Sequence, residues 1–130
     1  MQTTSSELSK KLKELGLKKE GFGFYKNDET ILRFFNRDYS LSNKITEAYT
    51  LDEVLAMLPS ILTNHEHKFV LLSFNKGSEK YVWFYSGSEG YTDDLIEFIH
   101  KNPAEAAGQL LVWCIEQGYV KVEEINNEMA

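Results

Sequence analysis

Apolar residues recur at helical spacing in two stretches of the second half of the chain. Residues 103–117 are the clearer case, and residues 92–101 repeat the pattern through Leu95, Ile96 and Ile99. A stripe with this spacing lies along one side of an α-helix and is typical of a helix that packs against a core. We therefore predict helices over 92–101 and 103–117.

Helix starts are marked by a capping residue that is followed three positions later by glutamate. The capping side chain accepts a hydrogen bond from a free N–H group of the first turn, and the glutamate reaches back to the cap. This signature predicts two further helices, over 5–15 and 51–58. It occurs three times, as Thr4 with Glu7, Thr50 with Glu53, and Asn102 with Glu105.

Strand-like runs bounded by turn residues lie between the helices. They are "GFGFY", "TILRFF" and "YSLSNKI", then "KFVLLSF" and "EKYVWFY", with "YVKVEE" as a further short strand. Strands that follow each other through short turns pair antiparallel. We predict one α+β domain over residues 1–130, in which an antiparallel meandering sheet of about five strands packs with about four helices. Residues 1–4 and 124–130 are expected to fray.

The predicted hairpin over residues 68–86 contains five consecutive apolar or aromatic residues in "KYVWFYSG". If "NKG" forms its loop, Phe69 lies opposite Trp83 and Leu71 opposite Tyr81; if "NKGS" does, Val70 lies opposite Trp83. In neither register is one face plainly polar. A sheet with one solvated face is therefore disfavoured, because such sheets alternate apolar and polar residues.

Three interpretations of this aromatic hairpin stay open. Helices could cover both faces of the sheet, since central strands favour aromatic and β-branched residues. The aromatic face could be an oligomer or partner interface, where Tyr and Trp are enriched. It could also stack single-stranded nucleic acid or a flat ligand. The candidate binding residues are Tyr81, Trp83, Tyr85 and Phe69.

Charge and cysteine content narrow the choice of partner and compartment. The formal charge of -6 opposes contact with phosphate backbones, so nucleic acid is a disfavoured partner. The single cysteine, Cys114, cannot form an internal disulfide, and the N-terminus has no apolar signal segment. No apolar run reaches the ~20 residues that span a bilayer. We expect a cytoplasmic protein without membrane contact.

Candidate chemistry is sparse. His65 and His67 are spaced to share a strand face and are weak metal candidates, because no third ligand is evident. Cys114 lies on an apolar helix stripe, where a free thiol is usually buried and inert. No glycine-rich phosphate loop is present. We predict no cofactor, no metal and no catalytic residues, and hence no enzyme.

Two segments resemble small uncharacterised proteins of bacterial phages and prophages. They are "TEAYTLDEVLAMLPSIL" (46–62) and "NPAEAAGQLLVWCIEQGYVK" (102–121), with the aromatic hairpin between them. The resemblance implies a short helix, a hairpin and a closing helix in that order, and it brings no activity or cofactor with it.

The leading hypothesis from the sequence is a non-catalytic protein-interaction module of phage or mobile-element type, for which a homodimer is one form. The alternative is single-stranded nucleic-acid or flat-ligand binding through residues 81–85.

Overall fold

The structure is a computed structural model that describes residues 2–26, 29–32, 45–64, 67–75, 80–87 and 94–127. It confirms a mixed α+β protein. The helices are α1 (Ser6–Glu14), α2 (Leu51–Met57), α3 (Pro103–Glu116) and α4 (Val122–Asn127). The strands are β1 (Gly23–Lys26), β2 (Glu29–Leu32), β3 (Thr46–Ala48), β4 (Ile61–Asn64), β5 (His67–Asn75), β6 (Tyr81–Gly87) and β7 (Asp94–His100).

The described strands divide between two antiparallel sheets, so a single sheet of about five strands is not what forms. A three-stranded sheet has the order β2-β1-β3, and a four-stranded sheet has the order β4-β5-β6-β7. The break follows from α2, which begins at Leu51 directly after the first sheet and separates β3 from β4. Most of the predicted strand "YSLSNKI" lies outside the described residues, and β4 was not predicted.

The register of the β5–β6 hairpin differs from both predicted registers. Leu71 lies opposite Tyr85 and Ser73 opposite Trp83, and β5 continues to Asn75, which pairs with Tyr81. Both predictions are wrong because they began the turn at Asn75, whereas this residue still belongs to the ladder. Phe69 consequently lies opposite Gly87 rather than Trp83.

Two segments have the opposite type of secondary structure from the one predicted. Residues 94–100 form β7 rather than part of a helix, because they pair with β6 along its length, with Trp83 opposite Phe98. The apolar spacing of this segment fits a strand as well as a helix, and the pairing decides between them. The predicted short strand "YVKVEE" is also wrong, since α4 begins inside it at Val122.

Helix α3 is the centre of the packing and contacts α1, α2, β6 and β7. It buries residues along most of its length, including Ala104, Ala106, Ala107, Leu110, Leu111 and Cys114. Gly108 allows α1 to approach, because a Cβ atom at this position would lie 2.5 Å from Leu8 Cδ2. Helix α1 in turn contacts β3 of the three-stranded sheet. The lysine-rich first helix therefore packs into the protein through its apolar side.

The start of α1 is capped differently from the prediction. Ser5, not Thr4, is the cap, and its side chain accepts a hydrogen bond from the backbone N–H of Leu8. The reciprocal carboxylate is not Glu7 but Glu105 of α3, which accepts from Ser5 N at 2.7 Å and from Ser5 Oγ at 2.8 Å. Local sequence spacing cannot reveal a cap partner that comes from a distant helix.

The residues before α1 are held by several hydrogen bonds, although we expected residues 1–4 to fray. Thr4 N donates to Tyr49 O at 2.8 Å, and the Asn102 side-chain amide donates to Thr3 O at 2.7 Å. Thr3 and Thr4 are both buried. At the other end, Ile125 of α4 is buried as well, within the segment 124–130 that was also expected to fray.

The two other predicted caps are present. Thr50 and Glu53 form the full capping box of α2. Asn102 caps α3 by accepting a hydrogen bond from Ala104 N at 2.9 Å. Its own N–H donates to His100 Nδ1, which leaves Glu105 available to Ser5.

Candidate binding face on the four-stranded sheet

Successive residues of each strand point to alternate faces of the four-stranded sheet. One face, here the inner face, packs against the helices and contributes to the main hydrophobic cluster; its members are Leu62, Phe69, Leu71, Trp83, Tyr85, Ile96 and Phe98. The opposite side, here the outer face, carries Ile61, Val70, Leu72, Val82, Phe84 and Ile99, with Thr63, Lys68, Ser86 and Glu97 among them.

The four residues predicted to bind a partner or ligand all fall on or beside the inner face. Tyr85 is fully buried, and Phe69 is 5 % exposed. Trp83 and Tyr81 are half-buried, and Trp83 packs against the hydrophobic cluster. The interpretation of this set as a binding surface is therefore corrected: Tyr85 and Phe69 belong to the core, and the structure does not bring the four rings together on an open surface.

The hydroxyl of Tyr85 is fixed inside the core. It donates a hydrogen bond to the backbone carbonyl of Pro59 at 2.8 Å. Burial raises the pKa of this phenol far above its usual range, and the neighbouring Cys114 adds to the shift. Tyr85 thus remains neutral and pairs its polar tip internally, as buried tyrosines generally do.

Cys114 is buried beside Tyr85 in the same cluster. Burial raises the pKa of its thiol to about 11, and the hydrogen bond with Tyr85 offsets only part of this shift. Because the thiolate is the reactive form of cysteine, a raised pKa and complete burial argue against nucleophilic chemistry at this position.

The outer face holds most of the exposed apolar surface of the described residues. Among the described residues, five large apolar side chains are exposed, and four of these lie on the outer face. These four are Ile61 at 55 %, Leu72 at 46 %, Ile99 at 39 % and Val70 at 36 % exposure; the fifth, Phe22 at 39 %, lies near the three-stranded sheet. Scattered apolar residues are normal on a surface, so the informative feature is their concentration on one face.

The apolar residues of the outer face form one connected path. Ile61 pairs with Val70 across β4 and β5, Leu72 pairs with Phe84 across β5 and β6, and Val82 pairs with Ile99 across β6 and β7. An antiparallel sheet with a solvated face normally places polar residues there. This face departs from that rule through exposed apolar residues on β4, β5 and β7.

Charged residues lie toward the margins of the outer face. Glu97 is exposed on β7, which is an edge strand, and Lys68 is exposed near the start of β5. Lys80 and Lys101 are exposed just outside β6 and β7. Val82, in the middle of this face, is fully buried, and Phe84 is half-buried opposite Glu97.

The histidine pair lies only partly within the described part of the chain. His67 begins β5, where it is exposed, and His65 lies outside the described residues. Among the residues whose positions are described, no three histidine, cysteine, aspartate or glutamate side chains are grouped as metal ligands.

An open cleft of about 220 Å³ lies between the end of α2 and the start of α4. Met57, Leu58 and Ile125 form its buried wall, and Lys121 and Glu124 are its charged residues. Both charged side chains are exposed at the rim of the cleft.

No helix in the described ranges is long and apolar enough to cross a membrane. Comparison of the chain with protein-family models, with curated proteins and with solved structures gave no match. The outer face must therefore be interpreted from its own chemistry.

The sequence indicated that neither face of the β5–β6 hairpin would be plainly polar. In "KFVLLSF", residues of both parities are apolar, so both faces of β5 had to be apolar. We assigned function to the face with more aromatic rings, but Tyr85 and Phe69 of that face lie in the core, whereas the aliphatic Val70 and Leu72 of β5 are exposed on the other face.

Proposed function

We propose that this protein is a non-catalytic protein-interaction module that acts by presenting the outer face of its four-stranded sheet to another protein surface. The single observation that supports the proposal most strongly is the concentration of exposed apolar side chains on that face. Contact between apolar surface and water is unfavourable, and a concentration of exposed apolar residues in a folded protein commonly marks an interaction site.

The chemistry of the face indicates what kind of surface would cover it. Its four exposed apolar residues are aliphatic, so a complementary surface is also apolar where it meets them; they are Ile61, Val70, Leu72 and Ile99. Protein–protein interfaces typically have few charged residues at their centre and polar residues at their margin.

Nucleic-acid binding through residues 81–85 has less support. A stacking surface needs exposed rings along a basic groove, whereas Tyr85 is fully buried and the chain has a formal charge of -6. The relation to phage or mobile-element proteins remains a prediction that rests on the two segments named above.

The test is the accessibility of the outer face inside the cells that make the protein. Leu72→Cys and the matched control Phe22→Cys each introduce one reactive thiol at an exposed apolar position, and the native Cys114 is buried. We expect a permeant thiol reagent to modify Leu72→Cys several-fold more slowly in intact cells than in dilute purified protein, with no such difference for Phe22→Cys.

Equal reactivity of Leu72→Cys in the cell and in dilute solution would contradict the proposal, because an interaction face must be covered where the protein works. A parallel measurement with Ile99→Cys guards against an effect peculiar to one position, since Ile99 lies on the other side of the same face.

A further inference from the structure

We infer that residues 3–5 form a latch between the three-stranded sheet and α3, and that the three-stranded sheet opens as a unit when this latch is released, while α3 and the four-stranded sheet stay folded. This inference concerns a different part of the molecule from the proposed function and does not depend on it. Folded proteins commonly open in such cooperative units, at a lower free energy than that of global unfolding.

Thr3 and Ser5 bind the start of α3. The side-chain amide of Asn102 donates to Thr3 O at 2.7 Å, and the Glu105 carboxylate accepts from Ser5 N at 2.7 Å and from Ser5 Oγ at 2.8 Å. Asn102 is the N-cap of α3 and Glu105 lies in its first turn. Because Glu105 is buried and hydrogen bonds to a charged group are the stronger ones, this side of the latch is firmly held.

Thr4, between these two residues, binds the other side of the latch. Its N–H donates to the carbonyl of Tyr49, directly after β3, at 2.8 Å, and its hydroxyl accepts from Tyr49 N at 3.2 Å. Its carbonyl accepts from the hydroxyl of Tyr25 in β1 at 2.8 Å. Successive residues of an extended segment direct their backbone groups to opposite sides. Residues 3–5 therefore join α3 to the three-stranded sheet through alternate residues.

The three-stranded sheet takes little part in the main hydrophobic cluster. Its buried Phe24 and Ala48 are not members of the cluster that the helices and the inner face of the other sheet form within the described part of the chain. Among the described elements, its main contact outside the sheet is between β3 and α1. Two of its buried residues, Thr46 and Glu47, are polar. Because apolar burial is the main source of stability, this sheet depends more than the other on the hydrogen bonds that hold it.

Release of the latch leaves both sheets intact as sheets. The bridge between Thr3 and Thr50 lies outside the named strands, so breaking it removes no pair from either ladder. The three-stranded sheet can therefore separate from α3 while the four-stranded sheet keeps its contacts with the helices.

The experiment is amide hydrogen exchange of the full chain, measured for the most protected amides of β1 and β6 under conditions in which the rate reports the population of open states. Tyr25→Phe removes one hydrogen bond on the sheet side of the latch, and Glu105→Ala removes the carboxylate on its α3 side. The matched control is Tyr85→Phe, because Tyr85 also donates to a backbone carbonyl at 2.8 Å but lies in the four-stranded sheet.

We expect β1 to exchange faster than β6 in the wild type, because the three-stranded sheet opens more easily than the whole protein. Tyr25→Phe should speed exchange in β1 about fivefold, as for the loss of one hydrogen bond, and Glu105→Ala should speed it at least tenfold. Tyr85→Phe should speed exchange in β6 about fivefold and leave β1 unchanged. The last result follows because Tyr85 stays packed when only the three-stranded sheet opens.

Equal acceleration of β1 and β6 by Tyr85→Phe would overturn the inference, since the three-stranded sheet would then open only together with the rest of the protein. Circular dichroism of each variant shows whether it has folded, and Tyr25→Phe, which keeps its ring, should retain the wild-type spectrum. Unchanged exchange of β1 in either folded latch variant would also overturn the inference, because residues 3–5 would not be what holds the sheet.

Discussion

The two faces of the four-stranded sheet are both apolar, yet the outer one is less completely packed, with Val82 buried but Leu72 and Ile99 exposed. On the inner face, Tyr85 is fully buried against α3 and its hydroxyl is paired with Pro59 O. On the outer face, Leu72 lies one position from an inner-face leucine and is 46 % exposed. The sequence of a strand shows that both of its faces are apolar, but tertiary packing determines which face is buried in the monomer.

This contrast separates two roles. Inner-face residues contribute to the stability of the monomer, because their removal leaves a cavity or an unpaired polar group. The exposed outer-face residues, such as Leu72 and Ile99, contribute little to the monomer, because they are already in contact with water. Their contribution is expected to appear when a second surface covers them, and substitutions on the two faces should thus have different consequences.

The largest effect is expected from Tyr85→Ala on the inner face. Removing a fully buried ring should lower the free energy of unfolding by about 4 kcal/mol through lost burial and a cavity. Tyr85→Phe keeps the ring and removes only the hydrogen bond to Pro59 O, so it should cost about 1 kcal/mol. Urea unfolding of dilute protein measures both values, and equal losses for the two variants would contradict the cavity explanation.

A smaller effect is expected at the hydrogen bonds between Glu105 of α3 and Ser5, which caps α1. Glu105→Ala removes a carboxylate that accepts two hydrogen bonds from Ser5, one of them from the free N–H at the start of α1. We expect a loss of about 2 kcal/mol in urea unfolding, typical of hydrogen bonds to a charged group.

The matched control for Glu105→Ala is Glu7→Ala, which removes an exposed carboxylate from the first turn of α1. Its cost should be about 0.5 kcal/mol, the range of a favourable charge near a helix N-terminus. Equal costs for Glu7→Ala and Glu105→Ala would show that the cap is local, as the sequence alone had suggested.

The inner face should also make the fold sensitive to alkaline pH. Burial raises the pKa of the Cys114 thiol to about 11 and also raises that of Tyr85, so the folded state holds these protons more tightly than the unfolded chain does. Stability from this source is complete below the unfolded thiol pKa of about 8.5. It is then lost as the pH rises toward 11.

Unfolding free energies measured between pH 8 and pH 11 should fall with pH, and the slope should decrease in Cys114→Ala. That slope depends on the difference in the number of bound protons between the unfolded and folded states. A general loss of stability in the variant therefore does not alter it. An unchanged slope in Cys114→Ala would contradict the assignment of this titration to the thiol.

Several parts of the fold could be predicted from sequence because their causes are local. The capping box of Thr50 with Glu53 and the Asn102 cap before Pro103 each lie within a few residues, and both are confirmed. The class of mixed α+β protein followed from the same local patterns.

Other parts could not be predicted because their causes are distant in sequence. The residues of β7 fit a helix by spacing and become a strand because β6 offers them a pairing edge. Glu105 caps a helix that begins 100 residues earlier. The inner and outer faces of β5 are both apolar in sequence, and only the tertiary packing determines that Leu71 contacts the hydrophobic cluster while Leu72 is exposed.

These two adjacent leucines of β5 allow the most direct test of the central claim. It holds that inner-face residues stabilise the monomer, whereas the exposed outer-face residues contribute little until another surface covers them. The measurement is urea unfolding of Leu71→Ala and Leu72→Ala in dilute protein. We predict a loss of about 2 kcal/mol for Leu71→Ala, which packs against the hydrophobic cluster, and of about 0.5 kcal/mol or less for Leu72→Ala, as for other exposed positions. Equal losses at the two positions, or a larger loss at Leu72, would contradict the account.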